Sequence, residues 1–279
     1  MSFRAALVQM RSGTDAAQNL ADATRLIKEA VAAKAHFIST PEMTNIFEPD
    51  RERLKAIARP EAEDEAVAAF GELAKAHNVW LHAGSFALKG VAGKLVNRSL
   101  LFSPEGKIAA RYDKIHLFDV DLPNGDKYRE SATYAGGQDA VVVDTPLARF
   151  GFSICYDMRF PLLYHALGKE GVGVIVVPAA FTKPTGEAHW HVLLRARAIE
   201  TGSFIFAAAQ GGQHDSGRET YGHSLIVNPW GEIIDEAGIE PGLVVADIDL
   251  AEVATARARI PTLSNARSFV LKRAPSVVI

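Results

Sequence analysis

The sequence predicts an α/β fold with a mixed sheet, or two sheets, in one domain spanning residues 1–279. Short apolar runs alternate with amphipathic helical segments early in the chain, a pattern typical of strands and helices in alternation. Hairpin signals recur throughout the sequence, which argues against a purely parallel sheet. No linker rich in proline, glycine or serine divides the chain.

Each predicted element rests on its hydrophobic spacing and its flanking turn residues. Strands are expected over 3–9, 37–39, 79–86, 96–102, 108–112, a run that starts at 140, 172–177, 204–209, 224–227, 233–235 and 243–248. Helices are expected from the start signal at 13–15 to about 31, over 61–77, from 162 onward, over 187–200 and over 250–259. Two hairpin turns with a Pro-x-Gly pattern, at 103–107 and 228–232, hint at an internal repeat. Polar loops are expected over 118–137 and 180–186.

The charge and the cysteine content of the sequence exclude several classes of protein. A net charge of −3 and a pI near 6.3 provide no basic field for nucleic acid or an anionic membrane. A single cysteine rules out an internal disulfide and fits a reducing compartment. The N-terminus lacks the features of a secretory signal, and no apolar run is long enough to span a bilayer. A cytoplasmic protein is therefore expected.

The one cysteine, Cys155, lies where a predicted strand gives way to a predicted helix. A short turn at a strand end can direct a side chain into a cleft, and Arg159 follows four residues later as a fixed cation. A buried structural thiol is the alternative interpretation, because free cysteine is among the most buried residue types.

Two further ionisable residues, Glu42 and Lys114, also follow directly after apolar strands. Each alone is explained as an exposed charge beside a strand. Strand ends, however, are where α/β proteins assemble sites from distant parts of the chain. A thiol, a carboxylate and an ammonium have complementary chemical roles, so their shared placement favours a catalytic site.

Three stretches that contain these residues resemble the three motifs of the nitrilase superfamily of carbon–nitrogen hydrolases. They are Thr-Pro-Glu at 40–42, Tyr-Asp-Lys-Ile-His-Leu-Phe-Asp at 112–119 and Cys-Tyr-Asp-Met-Arg-Phe-Pro at 155–161. The resemblance covers nearly the whole chain and is closest to the branch of deaminated-glutathione amidases and ω-amidases. It implies a four-layer αββα sandwich, with two mixed sheets flanked by helices, and a homodimer or higher homo-oligomer.

The resemblance also implies a role for each candidate residue. Cys155 would be the nucleophile that forms a thioester, and Glu42 would move the protons. A carboxylate can do so if burial raises its pKa, because desolvation disfavours the charged form. Lys114 would stabilise the oxyanion together with the backbone N–H of Tyr156. Glu130 would position Lys114 and the substrate. No cofactor is implied.

The resemblance further implies a small amide substrate that carries a carboxylate. Arg159 and Thr185 match positions that bind the substrate carboxylate, and Phe181, Thr182 and Tyr156 would line the same pocket. An arginine fork suits a carboxylate because the two groups form parallel hydrogen bonds. The γ-amide of deaminated glutathione fits, and its hydrolysis would release 2-oxoglutarate and cysteinylglycine.

Several alternatives stay open within the enzyme interpretation. The same catalytic set would serve an ω-amidase acting on 2-oxoglutaramate, an N-carbamoyl amide hydrolase or a nitrilase. Glu187 stands where the keto-acid amidase branch is expected to have proline, so the substrate is not fixed by the sequence.

Two other classes of protein compete with the enzyme interpretation. Histidines at 189, 191, 214 and 223 offer metal ligands, but no metal-binding spacing is present and no metal is expected. A non-catalytic binding or scaffold protein on the same fold is the other alternative, although Glu42, Lys114 and Cys155 all keep competent side chains. No glycine-rich phosphate loop supports nucleotide binding.

Overall fold

The computed structural model describes residues 2–122 and 125–274. Its strands are β1 (Ser2–Gln9), β2 (Phe37–Ser39), β3 (Trp80–Lys89), β4 (Leu95–Phe102), β5 (Ile108–Asp113), β6 (Asp119–Asp121), β7 (Lys127–Arg129), β8 (Tyr134–Ala135), β9 (Val142–Asp144), β10 (Arg149–Phe152), β11 (Val174–Val176), β12 (Phe204–Ala207), β13 (Gly211–Gln213), β14 (Glu219–Tyr221), β15 (Leu225–Val227), β16 (Ile233–Glu236) and β17 (Gly242–Asp249). Its α-helices are α1 (Ala16–Ala32), α2 (Arg51–Ile57), α3 (Glu65–His77), α4 (Pro161–Lys169), α5 (Lys183–Thr201), α6 (Ala251–Arg259) and α7 (Thr262–Asn265). Short 3₁₀ helices cover Glu61–Glu63, Glu130–Ala132 and Cys155–Arg159.

Two mixed sheets organise the chain. Within the described residues, the first sheet has seven strands in the order β17-β1-β2-β3-β4-β5, with β8 beside β4. The second has six strands in the order β16-β15-β12-β11-β10-β9. Each sheet has a parallel centre, β1-β2-β3 or β10-β11-β12, with antiparallel strands on either side. Both predicted hairpin turns are present, between β4 and β5 and between β15 and β16.

The sheets pack face to face, with helices on the outer faces. Phe37 of β2 stacks on Phe150 of β10 with ring centroids 4.6 Å apart, and Phe3 lies 6.4 Å from Phe206. On β1 alternate side chains point to opposite faces. Its residues 5 and 7 join this inter-sheet core, and residues 6 and 8 join a second core with α1 and α3. Helices α4 and α5 cover the second sheet. The predicted αββα sandwich is confirmed.

Helix starts follow from local side-chain chemistry. Asp15 caps α1 by accepting hydrogen bonds from the backbone N–H groups of residues 17 and 18, as the start signal predicted. Pro161 occupies the first turn of α4, where its missing N–H costs nothing. The predicted helix over 61–77 is instead divided, because Asp64 adopts an extended backbone and caps α3.

Two further expectations are corrected, and one helix was not expected. The loop expected over 180–186 is shorter, because α5 begins at Lys183 with Pro184 in its first turn. The loop expected over 118–137 contains β6, β7, β8 and a 3₁₀ turn, while its residues 123 and 124 lie outside the described residues. Helix α2, which is capped by Asp50, was not predicted.

In the part of the chain that the structure describes, no helix combines the length and the apolar character needed to cross a membrane.

Candidate active site

The residues that follow β2, β5 and β10 meet at one side of the sandwich. Lys114 Nζ lies 2.8 Å from Glu42 Oε1, and the Cys155 thiol lies close enough to the Glu42 carboxylate for each group to shift the pKa of the other. All three side chains are buried and line one cavity of about 330 Å³. The strand ends therefore bring together the thiol, carboxylate and ammonium that the sequence placed apart.

Glu42 is held by donors on both carboxylate oxygens. Its Oε1 accepts from Lys114 and, at 2.9 Å, from Asn97 Nδ2, while its Oε2 accepts from the backbone N–H of Ala180 at 2.8 Å. Its own carbonyl accepts from the side chain of Gln210 at 3.0 Å. These contacts join the first sheet to the loop after β11 and fix the carboxylate at the thiol.

Glu130 completes the surroundings of Lys114. Lys114 Nζ lies 2.9 Å and 3.1 Å from the two Glu130 oxygens, and the backbone N–H of Phe118 donates to Glu130 at 2.6 Å. Asn97 also donates to Glu130, at 3.2 Å, so its amide bridges both carboxylates. The ammonium is thus a buried cation between two carboxylates.

Cys155 begins a 3₁₀ turn in a strained backbone conformation. Its φ is +47°, in the left-handed region, where a non-glycine residue costs about 1–3 kcal/mol. The turn is held by its N–H, which donates to Pro178 O at 2.9 Å, and by the buried Asp157. Asp157 accepts from the N–H of Ile154 at 2.8 Å and from the hydroxyl of Tyr112 at 2.6 Å. Such strain is characteristic of functional sites, where the surrounding contacts maintain it.

The pKa shifts define the resting protonation state. Burial acts to raise the pKa of Glu42, but the charge and hydrogen bonds of Lys114, with help from Asn97 and Cys155, hold that pKa below its ordinary value. The expectation that burial would raise this pKa is therefore wrong in its net direction. Burial and the Glu42 charge raise the pKa of Cys155 well above its ordinary value, although Lys114 opposes them.

Lys114 stays protonated in the same setting. Burial would lower the pKa of its ammonium, but the charges of Glu130 and Glu42 raise it well above its ordinary value. The resting site therefore holds a neutral thiol beside a carboxylate and an ammonium. That arrangement lets the thiol proton pass to Glu42 as the sulfur attacks, while Lys114 faces developing negative charge.

Four of the five predicted substrate-binding residues line the cavity: Tyr156, Phe181, Thr182 and Thr185. The two threonine hydroxyls are hydrogen-bonded at 2.7 Å. Tyr156 is the second residue of the 3₁₀ turn, where early N–H groups lack partners within the helix. That backbone group is thus placed beside the thiol.

Arg159 is not part of the cavity lining among the described residues, although the sequence placed it there. Its guanidinium lies over two rings that do line the cavity, 5.1 Å from the centroid of Phe181 and 5.9 Å from that of Tyr156. It also lies 3.2 Å from Nδ1 of His189. Burial lowers the pKa of Arg159, and Cys155 and Tyr156 lie near enough to oppose that effect.

Sequence reasoning missed three side chains at the site: Asn97, Asp157 and Arg218. Asn97 is a buried amide in β4, but Arg98 and Ser99 follow it directly, so the sequence does not mark it as a polar residue at a core position. Asp157 lies within the quoted cysteine motif, but its partners come from distant segments. Arg218 lies in a turn between β13 and β14, where no sequence pattern marks it.

The histidines that the sequence offered as metal ligands are divided among different contacts. His214 bonds to Ser12 O and to the Thr220 hydroxyl. His191 and His223 lie 2.8 Å and 2.6 Å from the same oxygen of Glu236, and these three residues form a group whose ligand atoms lie within 4.8 Å of one another. None of these histidines lines the cavity of Cys155 within the described ranges.

The sequence pattern of the carbon–nitrogen hydrolase family matches residues 4–258. A deaminated glutathione amidase of Synechocystis is 41% identical over 273 residues, which cover 96% of this chain and 99% of that protein. The omega-amidase NIT2 of Homo sapiens is 36% identical over 267 residues, which cover 96% of each chain.

Solved structures share the fold. The Caenorhabditis elegans NitFhit protein superimposes with a TM-score of 0.89 at 35% identity, covering 95% of this chain and 65% of that longer chain. A mutant amidase from Nesterenkonia sp. AN1, with the acetamide moiety of fluoroacetamide added at its active-site cysteine, gives a TM-score of 0.79 at 25% identity. That match covers 95% of this chain and 94% of the amidase.

Proposed function

The chain belongs to the carbon–nitrogen hydrolase family, and on that premise we propose that Cys155, Glu42, Lys114 and Glu130 form its catalytic centre for amide hydrolysis. The observation that carries the proposal is the buried Glu42–Lys114 pair, which lines the same cavity as the Cys155 thiol. A covalent adduct at the active-site cysteine of the related amidase supports the assignment of the nucleophile.

The acylation half of the reaction follows from this contact set. The Cys155 sulfur attacks the amide carbonyl as the thiol proton passes to Glu42. Negative charge develops on the carbonyl oxygen, which Lys114 and the N–H of Tyr156 stabilise. Glu42 then gives the proton to the amide nitrogen, the C–N bond breaks, and the amine leaves a thioester on Cys155.

Deacylation uses the same groups in reverse. Glu42 takes a proton from water, whose oxygen attacks the thioester carbonyl, and Lys114 again faces the oxyanion. The C–S bond breaks, the carboxylic acid product forms and the sulfur regains its proton from Glu42. Glu130 keeps Lys114 in place through two contacts and does not exchange a proton itself.

The proposed substrate is deaminated glutathione, which would be cleaved to 2-oxoglutarate and cysteinylglycine. The similarity to deaminated glutathione amidases supports this choice. Among the described residues Arg159 has no carboxylate within ion-pair distance, and the polar contact of its guanidinium is with Nδ1 of His189 at 3.2 Å, so donors remain available to an anion near Phe181 and Tyr156. Thr185 adds a hydroxyl at the same pocket. The substrate's keto-acid carboxylate would bind there.

The second candidate function is an ω-amidase acting on 2-oxoglutaramate, which the similarity to the human omega-amidase favours. Its substrate has the same keto-acid end, and its leaving group is ammonia. The same reaction centre serves both substrates, so the part of the cavity beyond the scissile bond distinguishes them.

A substrate panel tests the proposal. Purified enzyme is assayed with deaminated glutathione, 2-oxoglutaramate, an N-carbamoyl amino acid and an aliphatic nitrile, with products quantified by mass spectrometry. We expect the highest kcat/KM for deaminated glutathione. A higher value for 2-oxoglutaramate would support the second candidate, and turnover of only the carbamoyl compound or the nitrile would contradict both.

We also propose that residues 1–279 form one domain that assembles as a homodimer in a reducing, cytoplasmic environment. Leu162 on α4 and Val192 and Ile199 on α5 are exposed apolar side chains on the helices that follow Cys155. Burial against a second copy would remove them from water. Light scattering coupled to size exclusion should give a dimer mass, and Val192→Glu should shift it towards the monomer.

A further inference from the structure

Arg218 lines the same cavity from the side of the β13–β14 turn. Its guanidinium carbon lies 4.8 Å from the ring centroid of Phe47 and 4.9 Å from that of Tyr128. Stacking between two rings holds the plane of an arginine while its N–H groups stay free to donate. Arg218 is therefore held mainly by its contacts with the rings of Phe47 and Tyr128.

The Arg218 guanidinium donates no hydrogen bond to another residue that the structure describes. Across the described ranges no carboxylate lies within ion-pair distance of Arg218, and its buried Nε has no hydrogen-bond partner. Two other cations of the cavity are paired: Lys114 with two glutamates, and Arg129 with Asp121 at 2.8 Å. Arg51 and Lys127 also line the cavity without an ion pair among the described residues, but both are exposed, whereas Arg218 is half-buried. Because a buried donor without a partner is costly, an acceptor is expected here when the site is occupied.

The turn that carries Arg218 is firmly anchored. The N–H of His214 donates to the carbonyl of Arg218 at 2.8 Å, and the buried His214 ring lies 4.4 Å from the ring of Phe47. His214 also contacts Ser12 O at 2.7 Å and the Thr220 hydroxyl at 2.8 Å. These contacts attach the turn to the loop after Glu42, so the guanidinium has a defined position relative to the reaction centre.

A series of ring contacts connects Arg218 to the nucleophile. Tyr128 lies 5.1 Å from Phe118, and Phe118 lies 5.1 Å from Tyr156, the neighbour of Cys155. Arg159 lies over Tyr156 at the other end of the series. Arg159 and Arg218, which both lack a carboxylate partner among the described residues, thus lie at the two ends of one series of aromatic rings, with the thiol near Arg159.

The charges of Arg218 and of the reaction centre act on one cavity residue, Tyr134. Burial, followed by the charges of Glu130 and Glu42, raises the pKa of Tyr134, while Lys114 and Arg218 oppose that shift. Glu48, another acid of the cavity, lies 3.4 Å from Nε of Arg53. Arg53 is mostly exposed and the buried Oε2 of Glu48 has no hydrogen-bond partner among the described residues, so the charge of Glu48 is only partly compensated.

We propose that Arg218 binds the terminal carboxylate of the leaving amine, so that the enzyme selects amides with a carboxylate on each side of the scissile bond. The inference rests on the proposed function and adds to it a subsite on the leaving-group side. Cysteinylglycine is a two-residue leaving group that extends about 7 Å from the scissile carbonyl and ends in a carboxylate. An arginine fork accepts that group through two parallel bonds. Ammonia, the leaving group of 2-oxoglutaramate, cannot reach it.

A two-by-two comparison tests the subsite. Wild-type enzyme and Arg218→Gln are each assayed with deaminated glutathione and with the same compound carrying a C-terminal carboxamide. Wild-type enzyme should lose about tenfold to a hundredfold in kcat/KM on the carboxamide, mainly through KM. Arg218→Gln should show that loss already on deaminated glutathione and discriminate little between the two compounds, because the interaction is absent in both cases.

Two variants control the comparison. Arg218→Lys should recover only part of the discrimination, since an ammonium keeps the charge but not the fork. Arg25→Gln, on the exposed part of α1, should behave as wild type with both compounds. Thermal unfolding of each variant checks that the fold is retained.

The two possible failures are distinguishable. Hydrolysis by the wild-type enzyme with equal kcat/KM on both compounds would overturn the subsite while leaving the proposed function in place, and this result needs no variant. An equal loss on both compounds in Arg218→Gln would overturn it too. Hydrolysis of neither compound by the wild-type enzyme would overturn the proposed function together with the subsite.

Discussion

Two groups of polar and charged residues lie at the cavity of Cys155 or at the rings that line it, and their partners differ. In the proposed reaction centre (Glu42, Lys114, Glu130 and Asn97), Lys114 contacts both glutamates and Asn97 donates to both, so every charge is paired, although the Oδ1 atom of Asn97 has no partner among the described residues. The arginine pair (Arg159 and Arg218) has no carboxylate partner among the described residues and is held against aromatic rings.

In the proposed function, this difference in pairing distinguishes the residues that carry out the reaction from the residues that bind the substrate. Groups already paired in the resting protein need little reorganisation when charge develops in the transition state, which is the condition for electrostatic catalysis. Cations without carboxylate partners instead gain their counter-ion from a ligand, so their contribution appears in substrate affinity. Changes in the reaction centre should therefore act on kcat, and changes in the arginine pair should act on KM.

The largest expected effect is that of Glu42→Gln. The amide keeps the shape of the carboxylate but accepts no proton, so kcat should fall by at least about 10³-fold while KM changes little. Steady-state kinetics with deaminated glutathione measure both constants. Glu61→Gln, which removes a carboxylate paired with Arg98 and Arg111, is the control and should retain wild-type kcat. A kcat within tenfold of wild type in Glu42→Gln would remove Glu42 from the proton transfers.

A smaller effect, on KM and not on kcat, is expected for Arg159→Gln. Loss of a charged hydrogen bond to the keto-acid carboxylate should raise KM by about tenfold to a hundredfold and leave kcat within a few-fold. The same kinetics measure it, with Arg149→Gln as the control, because Arg149 pairs with Asp144 at the far end of β10. If kcat falls while KM is unchanged, Arg159 takes part in the reaction itself. That result would contradict the division between a reaction centre that sets kcat and an arginine pair that sets KM.

The smallest expected change is the response to pH. The active form needs Glu42 as carboxylate, and because its folded pKa lies below 4.5, kcat/KM should fall only below that pH. The thiol pKa is raised above 9.0, so the profile should be level from about pH 5 to about pH 8.5. A profile measured in constant ionic strength buffers checks this. An acid limb near pH 6.5 would contradict the lowered pKa of Glu42.

The same shift carries a consequence for stability. A lowered carboxyl pKa in the folded state adds stability that is present above 4.5 and is lost as pH falls through the folded value. Wild-type protein should therefore lose part of its free energy of unfolding below about pH 4.5, as measured by denaturant titration, and Glu42→Gln should lose less.

The layered fold and the three central residues were accessible from the sequence because their signals are local. Apolar runs ended by Pro41 or by a charged residue mark strand ends, and the three motif stretches carry the resemblance. The net pKa of Glu42 was not accessible, since it depends on Lys114 and Asn97, which come from other strands. Arg218 lies in a polar turn, and only the folded chain stacks it between Phe47 and Tyr128.

The placement of Arg159 shows the same limit on what the sequence could predict. Its position four residues after Cys155 predicted a cation near the thiol, and the resemblance implied that it binds the substrate carboxylate. The 3₁₀ turn directs its guanidinium over the rings of Phe181 and Tyr156. The spacing of four residues along the chain predicted only that Arg159 lies near Cys155. Its direction depended on the turn geometry, which begins at the positive φ of Cys155.

The central claim is that amide hydrolysis passes through a thioester on Cys155, and intact-protein mass spectrometry after rapid quenching tests it most directly. Wild-type enzyme mixed with deaminated glutathione should gain the mass of the keto-acid acyl group, located on Cys155 by peptide mapping. Cys155→Ala should keep the fold, gain no adduct and lose hydrolysis. Hydrolysis by Cys155→Ala, or an acyl group on another residue, would contradict the account.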